Sequence, residues 1–347
     1  MKAGNAFRVD ADIESLLGRR YTLSDHYEVG REKIREFARA VQNVHPAHYE
    51  SAAARESTGF DELIAPMTFT AILGGEAQRC VFEQFLPQYD LSQVLHTEQR
   101  IVQHRPVRAG DALRCRITLD SFRSVHGQDV FTLKTEITDG ANVLLQTGWT
   151  TAVARAGGIV DDDIARAVDG VLMHRPAEVG PRARVSPLRL LDDVTPISVD
   201  PDGPPPRAQQ QASNLRVGDA LPAVTMCISR GDLVNYSGVA GDPNPVHWSD
   251  SIVSMAGLDN VIAHGMFTMG LGAGYLTECM DDPCALVEFA VRFARPVYVE
   301  SRTAADIAFT GTVKKIDPTN NTADIALTAV AKGGRIFGRA TGTVRLN

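Results

Sequence analysis

The chain has 347 residues, 44% of them hydrophobic and 22% charged, which excludes a disordered or fibrous protein and gives enough length for two domains of ordinary size. A net charge of −7 and a pI near 5.7, with no Lys/Arg stripe, exclude a phosphate-backbone binder. No window approaches the ~20 apolar residues needed to cross a bilayer, and Met1 to Arg20 lacks a basic segment followed by an apolar run, so a cytoplasmic location is expected.

Five cysteines (Cys80, Cys115, Cys227, Cys279 and Cys284) are odd in number and lack C-x-x-C spacing, as reduced structural thiols do. Along the chain, a helix-like stretch from Ile34 gives way to Asn43-Val44-His45-Pro46-Ala47-His48, and Leu63-Ile64-Ala65-Pro66-Met67 opens an apolar helix predicted over 67–85. Alternating segments then predict strands over 97–106, 112–122, 130–138 and 143–153. Gly74-Gly75 in the helix suits ordinary core packing, and would also tolerate an apolar channel wall. Between Ala154 and about Ser213 the pattern degrades into Asp161-Asp162-Asp163, one short amphipathic stretch and four prolines within 201–206. This reads as a linker, and the expected division is 1–155, a linker over 156–213, and 214–347.

The second half repeats the first. Leu233 to His247 lies over Ile34 to His48, and Ile262-Ala263-His264-Gly265-Met266 lies over Leu63 to Met67, both with an offset of 199 residues. A helix predicted over 265–280 is again followed by alternating segments, over 285–296, 303–315, 322–332 and 335–346. Consecutive strands without intervening helices most easily pair antiparallel, and one long apolar helix can cover a face of each sheet. The expected fold is α+β: a double hotdog, two antiparallel sheets each wrapped around a long central helix, with edge pairing to protect exposed strands.

The chemistry concentrates in the second half. In Tyr236-Ser-Gly-Val-Ala-Gly-Asp242-Pro-Asn244-Pro-Val-His247 the two prolines disfavour helical backbone at Asp242 and Asn244, so Asp, Asn and His are presented from a stiff loop suited to fixed geometry. Further on, Ala263-His264-Gly265-Met266-Phe267 turns into the long helix. Helix-start amides lack internal partners, and at Gly265 they can donate to a thioester carbonyl that approaches closely. Asp242 and His247 are the candidate acid–base pair, Asn244 is assigned to orientation, and His264 is read as a buttress of the loop.

Gly241-Asp242-Pro243-Asn244-Pro245-Val246-His247-Trp248 together with Ile262-Ala263-His264-Gly265-Met266-Phe267 resembles the MaoC-like dehydratases and R-specific enoyl hydratases. The likeness extends over roughly Leu215 to Leu346 and is greatest to the catalytic subunit of the mycobacterial (3R)-hydroxyacyl-ACP dehydratase. It implies that Asp242 and His247 hold the water or the substrate 3-hydroxyl and exchange protons with it and with C2, while the Gly265 amide holds the thioester carbonyl. Removing a C2 proton does require both a base and stabilisation of enolate-like charge.

The first half has Asn43 for Asp242, His45 for Asn244, His48 for His247 and Pro66 for Gly265. Asn cannot accept a proton as Asp can, and Pro66 has no N–H, so a second complete site is not expected. His45 and His48 have only Glu50 as a nearby acid, which makes no familiar metal spacing. This half resembles the non-catalytic partner subunit of the same mycobacterial dehydratase, which implies a role in shaping the acyl-chain channel, with fusion replacing a heterodimer. The expectation is a (3R)-hydroxyacyl-thioester dehydratase, reversible as a trans-2-enoyl hydratase, with no metal or cofactor, whose substrate is a thioester of acyl carrier protein or coenzyme A. A homo-oligomer beyond the fused pair stays open. The alternatives are a hotdog thioesterase, against which the Asp/Asn/His run argues, and a non-catalytic acyl-binding subunit, which predicts loss of the acid–base pair in both halves.

Overall fold

The computed structural model describes residues 13–89, 91, 94–155, 162–172, 188–191, 196–199 and 215–346. The first half runs α1 (Ile13–Leu16), β1 (Arg20–Leu23), β2 (Tyr27–Glu28), α2 (Arg31–Ala40), α3 (Ser51–Thr58), α4 (Ala71–Phe85), β3 (Leu95–Gln103), β4 (Ala112–Val125), β5 (Gln128–Thr138) and β6 (Leu144–Ala154). After α5 (Asp162–Val171) and β7 (Leu188–Leu190), the second half repeats the plan: β8 (Val224–Ile228), α6 (Arg230–Ala240), α7 (Asp250–Met255), β9 (Val261–Ile262), α8 (Gly265–Met280), β10 (Leu286–Phe293), β11 (Tyr298–Val299), β12 (Ala305–Asp317), β13 (Thr322–Ala331), β14 (Gly334–Arg335) and β15 (Phe337–Arg345).

The predicted strands form because their apolar residues alternate. In β12, Ile307, Phe309 and Val313 point inward while Asp306 and Thr310 face solvent, the period-two pattern of a sheet with one buried face. Among the described residues thirteen strands make one continuous sheet, in which β1-β4-β5-β6-β3 of the first half joins β10-β15-β13-β12-β8 of the second. The junction is the antiparallel β3–β10 pair, with Gln99 opposite Val291 and Ile101 opposite Phe289. An offset of 190 residues, which sets Arg105-Pro106-Val107 on Arg295-Pro296-Val297, keeps this pairing and makes Gln99 the counterpart of Phe289. Neither half therefore exposes this edge.

The two central helices differ. α8 is apolar on all sides and buried along nearly its whole length. A Cβ at Gly270 would lie 2.7 Å from Val41, and one at Gly272 would lie 3.0 Å from Leu327 and 3.3 Å from Phe289, so glycine is what lets α8 press onto both its own sheet and the first half. α4 buries only one face, with Leu73, Ala77, Cys80, Val81 and Phe82, and follows a 3-10 turn over Met67–Thr70.

The segment expected to be a linker contributes structure. β7 pairs with β1, and α5 packs against α7 of the second half. Asp161 and the prolines of 201–206 lie outside the described residues, as does the start of Met1 to Arg20. All five cysteines are free, and Cys227 is exposed on β8 with its thiol against Asp306. Among the described residues no helix is long and apolar enough to cross a membrane.

Candidate active site

The Asp242 loop is held at every turn. α6 starts from a reciprocal capping box between Ser229 and Asp232 and ends on Gly241, whose φ of 75° is the left-handed conformation that reverses the chain. Asp242 Oδ1 then accepts from the Asn244 amide at 3.2 Å, and Asn244 Oδ1 accepts from the Val246 amide at 3.2 Å, capping a 3-10 turn over Pro245–His247. The Trp248 indole donates to the Pro243 carbonyl at 3.0 Å. Asn244 thus shapes the loop with its own side chain.

His247 is buried, and its Nδ1 lies 2.7 Å from the Ile262 carbonyl. A carbonyl only accepts, so Nδ1 carries the proton and Nε2 keeps a lone pair. Burial lowers the His247 pKa, opposed by the Asp242 charge and by the bond to Ile262. The ring stacks on His264, with centroids 3.6 Å apart. His264 Nε2 lies 3.1 Å from Ser237 Oγ and 3.4 Å from the Asp242 carbonyl, which ties α6, the loop and the start of α8 together. Burial and then the His247 charge disfavour a proton on His264. One ligand-type atom each from Asp242, His247 and His264 lies within 4.8 Å of the others.

Gly265 is the first residue of α8, and no side chain caps that helix start. A Cβ there would lie 3.2 Å from the Phe293 ring, tighter than an ordinary contact, so glycine is the residue that fits. Asp242, Asn244 and Met266 open onto a cavity of about 410 Å³ that runs into the first half between α4 and its sheet. Val168 and Leu172, from the supposed linker, also line it.

His96 is one of the lining residues that were not candidates from sequence. His96 of β3 faces the cavity, feels the charge of Asp242 and sets its ring edge-on to Phe293 at 5.1 Å. Burial pushes its pKa down to about 4. A register shift between His96 and Glu98, a β-bulge, lets His96 and Gln99 both face the cavity although they are three residues apart.

The first half copies the loop without its chemistry. Asn43 Oδ1 accepts from His45 N at 3.2 Å, His45 Nδ1 accepts from Ala47 N at 3.2 Å, and His48 Nδ1 donates to Ile64 O at 2.6 Å. The backbone problem is the same, and its solution is the same. Yet Asn43 is amide rather than acid and is buried against Gly274 of α8, while Pro66 stands where an amide is needed.

Residues 213–331 match the MaoC-like domain family, and residues 15–147 match the dehydratase domain region of FAS1-like proteins. A solved structure described as a MaoC-like dehydratase is 40% identical, with a TM-score of 0.86 over 97% of this chain and 100% of its own. A UPF0336 protein of Mycolicibacterium paratuberculosis is 38% identical over 46% of this chain and 91% of its own length, and one of Streptomyces coelicolor is 42% identical over 41% and 95%. A Mycobacterium tuberculosis protein with a double hotdog fold shares that fold at 12% identity and a TM-score of 0.61. Fold, loop and likeness together define a double-hotdog enzyme of the hydratase–dehydratase class. The chain belongs to the MaoC-like dehydratase family.

Proposed function

We propose that the protein reversibly dehydrates (3R)-hydroxyacyl thioesters, carried by acyl carrier protein or coenzyme A, to trans-2-enoyl thioesters in cytoplasmic fatty acid metabolism. The observation that carries this reading is the pairing of a neutral His247, its Nδ1 committed to Ile262, with the exposed carboxylate of Asp242 at the head of a chain-sized cavity. In the dehydration direction the C2–H and C3–O bonds break, the C2–C3 double bond forms and one water leaves. His247 Nε2 and Asp242 exchange the protons with C2 and with the departing hydroxyl. The amide of Gly265 receives the negative charge that builds on the thioester oxygen. In the hydration direction the same two side chains hold the incoming water.

The first half, 1–155, then serves as the acyl-chain half, since most of the cavity wall comes from α4 and its sheet. The second half, 214–347, carries the reaction, and the segment between them supplies part of the wall. The test is the loss of conjugated thioester absorbance on mixing with crotonyl-CoA and longer trans-2-enoyl-CoA esters. Hydration with (3R) product supports the reading; release of free CoA without hydration would instead identify a thioesterase.

A further inference from the structure

The offset of 190 residues between β3 and β10 allows the interiors of the two halves to be compared layer by layer. In the second half, Phe289 and Leu327 fill the space over Gly272 of α8. In the first half the counterpart of Phe289 is Gln99, and its cross-strand neighbour is Thr150. Gln78 of α4 donates to Thr150 Oγ at 2.8 Å, and Thr150 donates to Gln99 Oε1 at 2.7 Å. All three face the cavity, and Gln99 and Thr150 are 8% and 2% exposed. At one end this chain meets the His96 side chain, which lines the same cavity as Asp242. By contrast Gln146, also on the wall, is satisfied inside the protein: it accepts from Thr70 and donates to the Met67 carbonyl at 2.9 Å.

A wall for a plain alkyl chain gains nothing from a buried amide, a half-buried amide and a buried hydroxyl, because polar groups taken from water cost free energy unless they are bonded. Gln78 has an amide oxygen beyond the atoms used in the Gln78–Thr150–Gln99 relay, and the two N–H groups of the Gln99 amide can serve both His96 and a ligand. We infer that the acyl chain taken by this cavity carries an oxygen substituent, a hydroxyl or a carbonyl, beyond C3, and that Gln78, Gln99 and Thr150 recognise it. The inference rests on the dehydratase reading for its reacting end, but not for its chain preference.

The experiment has two arms with the carrier held constant. In the first, wild-type turnover is compared for trans-2-enoyl-CoA esters of equal length, plain or with a hydroxyl or keto group placed progressively further from the thioester. A site built to bond an oxygen discriminates strongly against the analogue lacking it, so kcat/KM is expected to favour one oxygenated chain by about tenfold or more, and Gln99→Leu with Thr150→Val to reverse the order. In the second arm, wild-type affinity is measured by calorimetry for the matching saturated acyl-CoA pair, which cannot react. Equal affinity and equal kcat/KM for plain and oxygenated chains overturn this inference, whether or not the variants fold. Preferential binding of the oxygenated chain without turnover supports it and sinks only the dehydratase reading.

Discussion

His247 donates from Nδ1 to the carbonyl oxygen of Ile262 at 2.7 Å, which leaves Nε2 as the nitrogen that can take a proton. Loss of a positioned acid or base costs on the order of 10²–10⁴-fold in rate. Asp242→Asn and His247→Gln are each expected to lower kcat for enoyl-CoA hydration by about that factor, with the double variant little worse than either single. Steady-state kinetics on protein with unchanged circular dichroism checks this; an Asp242→Asn enzyme of near-normal kcat would remove Asp242 from the reaction.

Gly265→Ala and Gly265→Pro separate space from hydrogen bonding. Both add a Cβ that meets Phe293 about 3.2 Å away, but only proline removes the amide, and proline is tolerated at the first helical position. Losing one oxyanion donor costs on the order of 10²–10³-fold in kcat. The proline variant should therefore fall below the alanine variant by about that ratio, and equal kcat values would mean that the Gly265 amide is not the donor.

Asn43→Asp should not create a second site. It restores the acid but leaves Pro66 without an N–H, and it puts a carboxylate against Gly274 in the interior. The expected result is unchanged kcat, no rescue of Asp242→Asn, and a lower melting temperature, since a buried unpaired charge is destabilising.

Acid should reduce stability through His48, whose pKa burial lowers from 6.5 to about 4. A histidine with a depressed folded-state pKa is neutral in both states above about 6.5, so that contribution is fully present there. As pH falls from about 6.5 toward 4 the unfolded chain takes up the proton first and the contribution is lost. A tenfold difference in proton affinity is worth about 1.4 kcal/mol, so the loss is on the order of 3 kcal/mol. Urea titrations across this range should show it, with a flatter profile for His48→Asn. The His247 pKa, also lowered by burial, puts the acid limb of kcat below 6.5.

The spacing of Asp242, His247 and His264 would also accommodate a metal ion. Since the proposed chemistry needs none, dialysis against a chelator should leave kcat unchanged, and activity restored only by an added divalent cation would overturn the acid–base account.

The geometry of the Asp242 loop was legible because its constraints are local. Two prolines, a glycine reversal and an Asn cap lie within a few residues of one another, and the repeat at an offset of 199 marked which copy had kept its acid. The long strands were legible for the same reason, through their alternation. His96 was not, because its place on the cavity it shares with Asp242 depends on β3 meeting β10 nearly 200 residues away and on a bulge that alters which face it occupies. No local pattern encodes either. For α5 the amphipathic pattern was legible but its place was not, since contact with α7 sets it, and the three-residue β7 is ordered by pairing with β1.

The β3–β10 seam has a consequence for how the enzyme behaves on dilution. Asp242 and His247 come from one half, most of the cavity wall comes from the other, and a seam between separate chains would dissociate at low concentration. Tethering replaces that bimolecular step with an intramolecular one. Specific activity should therefore be independent of enzyme concentration, and a copy cut between the halves should lose it as the solution is thinned.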